Sequence, residues 1–270
     1  SYANNYQPSL IIKLLSDCLR LITMDRALYV SMTGAKHNML AQAAHSHNLA
    51  NAATTGFKSD FVDALSMQVV GGDGLRTRTY AVAQTPATNF APGSLQETGR
   101  DLDVSVQGGG WLAVIGEDGR EAYTRAGKLS TDAFGVLRNE RGDQVLGNQG
   151  PIVIPEAEKI EIGTDGTISV RALGQGPETL VEVDRLKLVL PEPGELVKDA
   201  NGLFFSKNGP LEPNATLSVR KGFVENSNVN PVEELTSVVA LARQFEMQVK
   251  LMQTVSEMAE SSTRLLQVQV

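Results

Sequence analysis

The sequence feature that most limits how this chain can fold is a heptad pattern at its C-terminal end, from Asn230 to Val270. Apolar or small residues recur there at alternating steps of three and four, and no Gly or Pro occurs after Pro231. This spacing predicts one long helix, capped by Asn230, that packs along a second helix in this chain or in another. At about 1.5 Å per residue the helix would span roughly 55 Å. The stripe consists of Leu235, Val238, Ala242, Phe245, Val249, Met252, Ser256, Ala259, Thr263 and Leu266.

The amino-acid composition of the chain argues against several classes of function. The chain has 270 residues, of which 41% are hydrophobic, so it can bury a core and form two domains. Its net charge of −7 argues against nucleic acid or an anionic membrane surface as the main partner. The single cysteine, Cys18, excludes an intrachain disulfide. No apolar run reaches the roughly eighteen residues of a transmembrane helix, so no stable membrane insertion is expected.

The N-terminal part predicts further helices. Residues 1–23 are expected to be an upstream extension, with an extra native helix as the alternative, and they make a poor signal peptide. Asp25 to Ala53 is predicted to be a helix that ends at Gly56, a residue free to adopt a positive φ. A second short helix is predicted from the spacing of Phe57, Phe61, Leu65 and Val69. The inner stripe predicted for the first helix is Met32, Ala35, Met39, Ala43, Ser46 and Ala50.

The middle of the chain, from Leu75 to Val224, has the pattern of a β domain. Short β-rich runs alternate there with turn residues, and Asp118-Gly119 and Asp165-Gly166 are typical of hairpin turns. The absence of helical patterns makes a parallel sheet unexpected. The predicted strands are Trp111–Ile115, Glu121–Arg125, Val136–Arg138, Ile152–Ile154, Ile160–Ile162, Thr167–Val170, Leu180–Val183, Leu186–Leu190 and Leu203–Phe205.

Together these patterns predict an α+β fold. Its N- and C-terminal helices pair as a coiled coil, and a mostly antiparallel β domain, a sandwich or an open barrel, lies between them in the sequence. The predicted segments are residues 1–23 as the extension, 24–70 as the N-terminal helical segment, 71–225 as the β domain and 226–270 as the C-terminal helix.

The sequence contains no specific pattern for catalysis, a cofactor or a metal. His45 and His47 would point apart on a helix, and His37 lies two turns from His45, so they cannot share one metal. Gly108-Gly109-Gly110 precedes a strand, whereas a phosphate-binding loop follows one, so a turn is the better interpretation. We therefore predict neither an enzyme nor a small-molecule substrate.

Several segments, in the same order, resemble the bacterial flagellar axial proteins, which form the rod and hook. Asn48 to Lys58 is similar to the N-terminal motif of that family, and Asn226 to Leu235 with Arg243 to Met247 is similar to its C-terminal motif. The resemblance extends from Met24 to about Val268. The middle segments that resemble the family are Arg100 to Val104, Gly108 to Trp111, Tyr123 to Gly127 and Gly147 to Ile152.

The resemblance implies a structural role. Family members leave the cytoplasm through the flagellar type III export apparatus and polymerise into the rod, which crosses the periplasm and transmits torque. The implied partners are other rod proteins and copies of this chain. Met24 to Tyr29 and Arg243 to Gln248 are most similar to proximal rod members, with the distal rod as the alternative. A β-sandwich binding module dimerised by its helices is the alternative from a different class.

Two sets of residues are predicted to carry this role. The seam between helices is assigned to Leu235, Val238, Ala242, Phe245, Val249 and Met252, facing Met32, Ala35 and Met39. Asn and Ser can bond loose backbone groups where helices begin and end, so a joint between helices and β domain is assigned to Asn48, Asn51, Gly56, Phe57, Asn226, Ser227 and Asn228. The alternative for the second set is that they are only helix caps.

Overall fold

A computed structural model describes residues 30–62, 64–68, 79–83, 87–172, 174, 180–199 and 201–267. The described fold is mostly antiparallel β-sheet with two helices. The predictions for residues 1–23, for the start of the first helix and for Val69 lie outside the described residues. Neither helix in the described residues combines the length and hydrophobicity needed to cross a membrane.

The chain divides into two compact units. Unit 1 contains the described residues up to Leu49, the segment Asp60–Ala87 and the chain from Pro231 onward. Unit 2 contains Ala50–Ser59 and Thr88–Asn230. The chain therefore passes from unit 1 to unit 2 and back more than once, which the simple order helix, β domain, helix does not predict.

Unit 1 is built around the two helices. The first, α1, is helical over residues 30–50, and the second, α2, covers Pro231–Gln267. α2 confirms the sequence prediction over its described residues. The predicted first helix, Asp25 to Ala53, ends earlier than expected, because residues 51–53 form a turn. Glu233 and Glu234 lie in the first turn of α2 and Arg264 lies in its last turn. Charges of these signs at these two ends interact favourably with the helix dipole.

The short helix predicted from Phe57, Phe61 and Leu65 is wrong. The chain is extended there, and it forms β1 (Asp60–Phe61) and β2 (Ala64–Gln68). β2 pairs in antiparallel register with β3 (Thr79–Ala83) over five residue pairs. The apparent helical spacing misled because cross-strand hydrogen bonds from a distant segment outweigh a weak local periodicity.

The remaining strands belong mainly to unit 2. Nineteen strands are described in total, including those given above. The others are β4 (Ala87–Thr88), β5 (Leu95–Glu97), β6 (Val104–Val106), β7 (Trp111–Ile115), β8 (Glu121–Thr124), β9 (Leu129–Thr131), β10 (Leu137–Asn139), β11 (Gln144–Val145), β12 (Ala157–Ile162), β13 (Thr167–Ala172), β14 (Val181–Arg185), β15 (Leu188–Val189), β16 (Leu196–Lys198), β17 (Phe204–Ser206), β18 (Val219–Lys221) and β19 (Phe223–Glu225).

The largest sheet has eight strands in the order β16-β17-β8-β7-β11-β10-β9, with β15 also paired to β7. A three-stranded sheet follows the order β12-β13-β14. Two further ladders join the start of unit 2 to its end, because β5 pairs with β19 and β6 pairs with β18. Both predicted hairpin glycines, Gly119 and Gly166, have positive φ values, of 75° and 87°. The predicted strand Ile152–Ile154 forms only an isolated bridge at Val153.

Strand β7 is the centre of the unit 2 core. Its apolar run is continuous because both of its faces are covered. Leu112 and Val114 belong to a large aliphatic cluster on one face. Trp111 and Ala113 belong to a second cluster, with Tyr123 and others, on the opposite face. Alternate residues of a strand point to opposite faces, so one short strand connects both clusters.

We expect Leu112→Ala to lower the free energy of unfolding by ~2–5 kcal/mol, because it opens a cavity in the larger cluster. Leu112 has no exposed surface. Leu190→Ala is the matched control, since Leu190 is half exposed and its truncation should change stability by no more than about 0.5 kcal/mol. Urea unfolding followed by Trp fluorescence measures both, and equal losses for the two variants would contradict this account of the core.

Candidate functional site

Unit 2 contains a buried cluster of charges where its first and last segments meet. The cluster consists of Lys58, Arg125 and Glu225, and we call it the junction cluster. The three residues are 1%, 7% and 2% exposed, so all three charges lie out of water. Burial of isolated charges is strongly unfavourable, so each member depends on the others and on backbone groups nearby.

Glu225 is the centre of the junction cluster. Its Oε1 accepts hydrogen bonds from Lys58 Nζ at 2.6 Å and from the Gly93 N–H at 3.0 Å. Its Oε2 accepts a hydrogen bond from Arg125 Nη1 at 3.1 Å. The Glu225 backbone carbonyl accepts the N–H of Gly56 at 2.7 Å. One residue at the end of β19 therefore binds the segment that contains Gly56 and Lys58, the segment before β5 and the residue that follows β8.

The junction cluster has two cations and one anion, and backbone carbonyls accept further hydrogen bonds from both cations. Lys58 Nζ also donates to the carbonyl of Ala91 at 2.9 Å. The Arg125 guanidinium donates to the carbonyls of Val106, at 2.9 Å, and Gly108, at 2.6 Å. Burial lowers the pKa of both Lys58 and Arg125, and the bonds to Glu225 oppose that shift.

Glycines allow the backbones to approach closely around the junction cluster. Gly56 has a φ of 67°, as the sequence predicted for the residue that ends the first helical segment. A Cβ at Gly56 would lie 2.2 Å from the carbonyl carbon of Arg125. A Cβ at Gly93 would lie 1.9 Å from the carbonyl oxygen of Asn226. Neither contact leaves room for any other residue type.

The predicted joint residues of the C-terminal segment all contact distant parts of unit 2 or the turn before α2. Asn228 Oδ1 accepts the N–H of Ser59 at 2.8 Å, and its Nδ2 donates to the carbonyls of Asn89 and Ala91 at 2.9 and 3.1 Å. The Asn226 N–H donates to the carbonyl of Ser94 at 2.8 Å. Ser227 Oγ accepts the N–H of Val229 at 3.3 Å, which forms a local turn.

The predicted joint residues of the N-terminal segment are more varied. Phe57 is buried, its carbonyl accepts the N–H of Asn228 at 3.3 Å, and its ring lies 4.0 Å from Lys198 Nζ. Asn51 makes a local contact, since Thr54 Oγ1 donates to its Oδ1 at 3.3 Å. Asn48 belongs to unit 1 and is described with the helices below.

The sequence interpretation missed all three members of the junction cluster. Lys58 directly follows Phe57, Glu225 directly precedes Asn226, and Arg125 lies in the middle of a segment that resembles the axial proteins. A signal was therefore present, because opposite charges adjoin the predicted joint at both ends of the chain. The pairing itself spans 167 and 100 residues, and no local pattern encodes it.

Unit 1 holds a second set of polar contacts, between α1 and α2. Asn38 Nδ2 donates to Gln248 Oε1 at 3.1 Å, and Asn48 Nδ2 donates to Glu234 Oε1 at 3.1 Å. The other oxygen of Glu234 bonds His45 Nδ1. Residue numbers rise along α1 as they fall along α2, so the two helices run in opposite directions.

Asn48 also fixes the chain that follows α1. Its side chain is 1% exposed, and it exchanges two hydrogen bonds with the Asp60 backbone, at 2.7 and 2.8 Å. His47 lies 3.6 Å from the Asp60 carboxylate. No group of three His, Cys, Asp or Glu side chains within the described residues could hold a metal ion.

The predicted inner stripe of α1 is not the face that the chain itself buries. Met32 and Met39 are 55% and 58% exposed, and only Ala35 of that stripe is buried. The buried positions of α1 are Ala35, Asn38, Ala41 and Asn48. Asn38 and Asn48 are buried polar residues that need hydrogen-bond partners, and they find these partners on α2. Because the two asparagines face α2, the methionines face outward.

The predicted stripe of α2 is half-buried at five of its six assigned seam positions. Val238, Ala242, Phe245, Val249 and Met252 are intermediate in exposure, and Leu235 is 53% exposed. Among the α2 side chains that the structure describes, none is fully buried.

Comparisons with known proteins agree with this architecture. A family model described as the flagellar basal body rod FlgEFG protein C-terminal region matches residues 220–265, and one described as the flagellar hook protein FlgE/F/G D1 domain matches residues 105–170. The flagellar basal-body rod protein FlgF of Salmonella typhimurium is 40% identical over 250 residues, covering 90% of this chain and 99% of that protein. The chain belongs to the flagellar basal-body rod protein family.

Other members of the rod protein family align over a similar length. FlgF of Escherichia coli K12 is also 40% identical, over 90% of this chain and 99% of its own. FlgG of Bacillus subtilis is 30% identical over 90% of this chain and 99% of its own. The chain is thus a structural subunit of the flagellar basal-body rod, is most similar to FlgF, and is not an enzyme. The junction residues Arg125 and Glu225 lie within the two regions that the family models match.

Glu225→Gln is expected to lower the free energy of unfolding by ~3–5 kcal/mol, because it leaves Lys58 and Arg125 as buried cations without an anion. Glu97→Gln is the matched control, since Glu97 is exposed on the partner strand β5, and it should change stability by no more than about 0.5 kcal/mol. Chemical unfolding monitored by the fluorescence of Trp111 compares them. A Glu225 variant as stable as the control would show that the cluster is not required for folding.

Gly56→Ala should destabilise the protein more than Gly119→Ala. Both glycines have φ values in the left-handed region, 67° and 75°, so each alanine carries roughly 1–2 kcal/mol of backbone strain. A Cβ at Gly119 meets no atom within 4 Å, whereas one at Gly56 meets the Arg125 backbone, which should add ~1–3 kcal/mol. Thermal and urea unfolding of the two variants provide the comparison, and equal destabilisation would refute the close approach.

Proposed function

We propose that the chain assembles with copies of itself and with other rod proteins through α1 and α2, which pair as a coiled coil in the rod. Each subunit contributes its helices to a tube that crosses the periplasm and transmits torque, after export through the flagellar type III apparatus. Among the two rod positions, the proximal one is favoured because identity to FlgF reaches 40%, against 30% for FlgG. The distal position is the alternative.

The exposed apolar surface of α2 is the observation that carries this proposal. Large apolar residues on α2 stay about half exposed or more even though the helix already contacts α1. Their spacing of three, four, seven or eight residues keeps them near one side of a helix. Their exposed fractions run from 45% to 71%, and they are Val232, Leu235, Val239, Met247, Leu251 and Met258.

The contact between α1 and α2 within one chain is weaker than a helix seam made of large apolar side chains. Asn38, Asn48, Glu234 and Gln248 occupy positions where a strong seam would carry large apolar side chains. Polar residues in a helical seam fix register and direction at the expense of stability. Gly34 packs against the Gln248 side chain, where a Cβ would lie 2.7 Å from Nε2. This pair sets the alignment of α1 and α2 and leaves apolar area for neighbouring subunits.

The energy available from neighbours is large enough for assembly. Burying apolar surface contributes roughly 25 cal/mol per Å², and each subunit in a helical array has several neighbours. Contacts between different faces of identical subunits extend as a filament where the rotation between neighbours does not close a ring. The exposed residues Met32, Met39 and Leu40 give α1 a corresponding apolar surface.

The double variant Met247→Glu/Leu251→Glu should abolish assembly and leave the subunit folded, because both side chains are more than half exposed and charges in an apolar interface are strongly unfavourable. Sedimentation velocity at rising protein concentration measures assembly, and Trp111 fluorescence reports that unit 2 is intact. The matched control is Gln244→Glu/Gln253→Glu, which makes the same charge change at exposed polar positions of the same helix. Unchanged assembly by the first variant would contradict the proposal, and a dimer that never grows would favour a binding module.

A further inference from the structure

Methionine is distributed unevenly between the two units of this chain. The chain has seven methionines, and the segments that make up unit 2, Ala50–Ser59 and Thr88–Asn230, contain none of them. Unit 2 fills its core with aliphatic and aromatic side chains instead. Methionine is a flexible apolar side chain that is common at surfaces that adapt to more than one partner. Its thioether sulfur also makes it open to oxidation, which converts it to a sulfoxide.

Four of these methionines are more than half exposed on the two helices, and we call them the exposed methionines. Met32 and Met39 of α1 are 55% and 58% exposed. Met247 and Met258 of α2 are 60% and 55% exposed. An oxidant dissolved in water can therefore reach these side chains without any unfolding of the helices.

On α1 the exposed methionines lie opposite the side that contacts α2. Met32 and Met39 are seven residues apart, which is close to two whole turns of a helix. Asn48, which bonds Glu234 on α2, follows Met39 by nine residues, which is about two and a half turns. Both methionines therefore lie on the side of α1 that the helix pair leaves open.

On α2 the exposed methionines lie beside another exposed apolar residue, Leu251. Met247 precedes Leu251 by four residues and Met258 follows it by seven, so all three share one side of the helix. Met252 differs, because it is half-buried and lies four residues after Gln248, which bonds α1. The exposed methionines thus belong to the surface that the proposed assembly covers, whereas Met252 belongs to the seam within the chain.

We infer that the exposed methionines are an oxidation site, and that their conversion to sulfoxides blocks assembly of the subunit. The oxidant is a hydroperoxide. The methionine sulfur attacks the terminal peroxide oxygen, the O–O bond breaks, and the proton on that oxygen moves to the departing oxygen. The sulfur is oxidised by two electrons and keeps one oxygen atom, and the peroxide is reduced to water or an alcohol. This inference rests on the proposed self-assembly.

The block follows from the polarity of the sulfoxide. A sulfoxide is polar where the thioether is apolar. Its oxygen accepts hydrogen bonds, so burying it among apolar side chains that offer no donor is unfavourable. A free subunit exposes these methionines to the oxidant, whereas a subunit in the proposed assembly has them covered. Oxidation therefore acts on subunits before assembly, and methionine sulfoxide reductases reverse it.

Treatment of the free chain with hydrogen peroxide tests this inference. Every chain carries Cys18→Ser, so that thiol oxidation does not contribute. Peptide mass spectrometry should show that the exposed methionines gain oxygen faster than Met252. Sedimentation velocity should then show self-association weakened by roughly tenfold or more, and treatment with methionine sulfoxide reductases should restore it.

Replacement by leucine separates these four residues from other oxidative damage. Leucine keeps the apolar volume of methionine and lacks its sulfur. A chain with Met32→Leu, Met39→Leu, Met247→Leu and Met258→Leu should assemble as the parent does, both before and after peroxide. Met252→Leu is the matched control, and a chain with that change should remain as sensitive to peroxide as the parent.

The possible outcomes distinguish this inference from the proposed function. Undiminished assembly of a parent chain whose exposed methionines are fully oxidised would overturn the inference and leave the proposed function standing. Equal loss of assembly in the parent and the four-leucine chain would also overturn it, since the damage would lie elsewhere. Loss of helix by circular dichroism on oxidation would overturn it too, because unfolding would then cause the block. Failure of the untreated chain to assemble would overturn both proposals.

Discussion

The Glu225 carboxylate, held between two buried cations, is the interaction on which the rest of unit 2 depends. It bonds Lys58 and Arg125, which lie 167 and 100 residues earlier in the chain. Removing Glu225 would leave two cations without an anion in a region without water, so both cations depend on this one carboxylate. The cluster therefore ties the first and last segments of unit 2 to its central sheet and specifies how they meet.

The proposed assembly gives α1 and α2 a role toward neighbouring subunits. The helix pair in the chain is aligned by polar groups, and much of its apolar surface stays exposed. Unit 2 has its own aliphatic core and does not need that surface for stability. Under the proposed assembly, the stability of unit 2 and the contacts with neighbouring subunits rest on different parts of the molecule.

The hydrophobic pattern of the sequence predicted helices and strands correctly where the residues followed one clear pattern. The long heptad stripe predicted α2, the continuous apolar run predicted β7, and both hairpin glycines were identified from their dipeptides. It failed between Phe57 and Leu65, where β1 pairs with β4 and β2 pairs with β3. It also failed for short strands such as β18 and β19. Such short strands carry too few residues for a period to emerge, and their partners lie more than a hundred residues away.

The sequence by itself determined the family, the class of fold and the two long helices, because motif order and helical period are properties of neighbouring residues. Only the tertiary structure decided which face of α1 is buried, since this depends on Asn38 and Asn48 finding Gln248 and Glu234 across the helix pair. It also decided that Lys58, Arg125 and Glu225 form one cluster. Burial makes distant charges interdependent, and no spacing along the chain records which of them will share the same low-dielectric site.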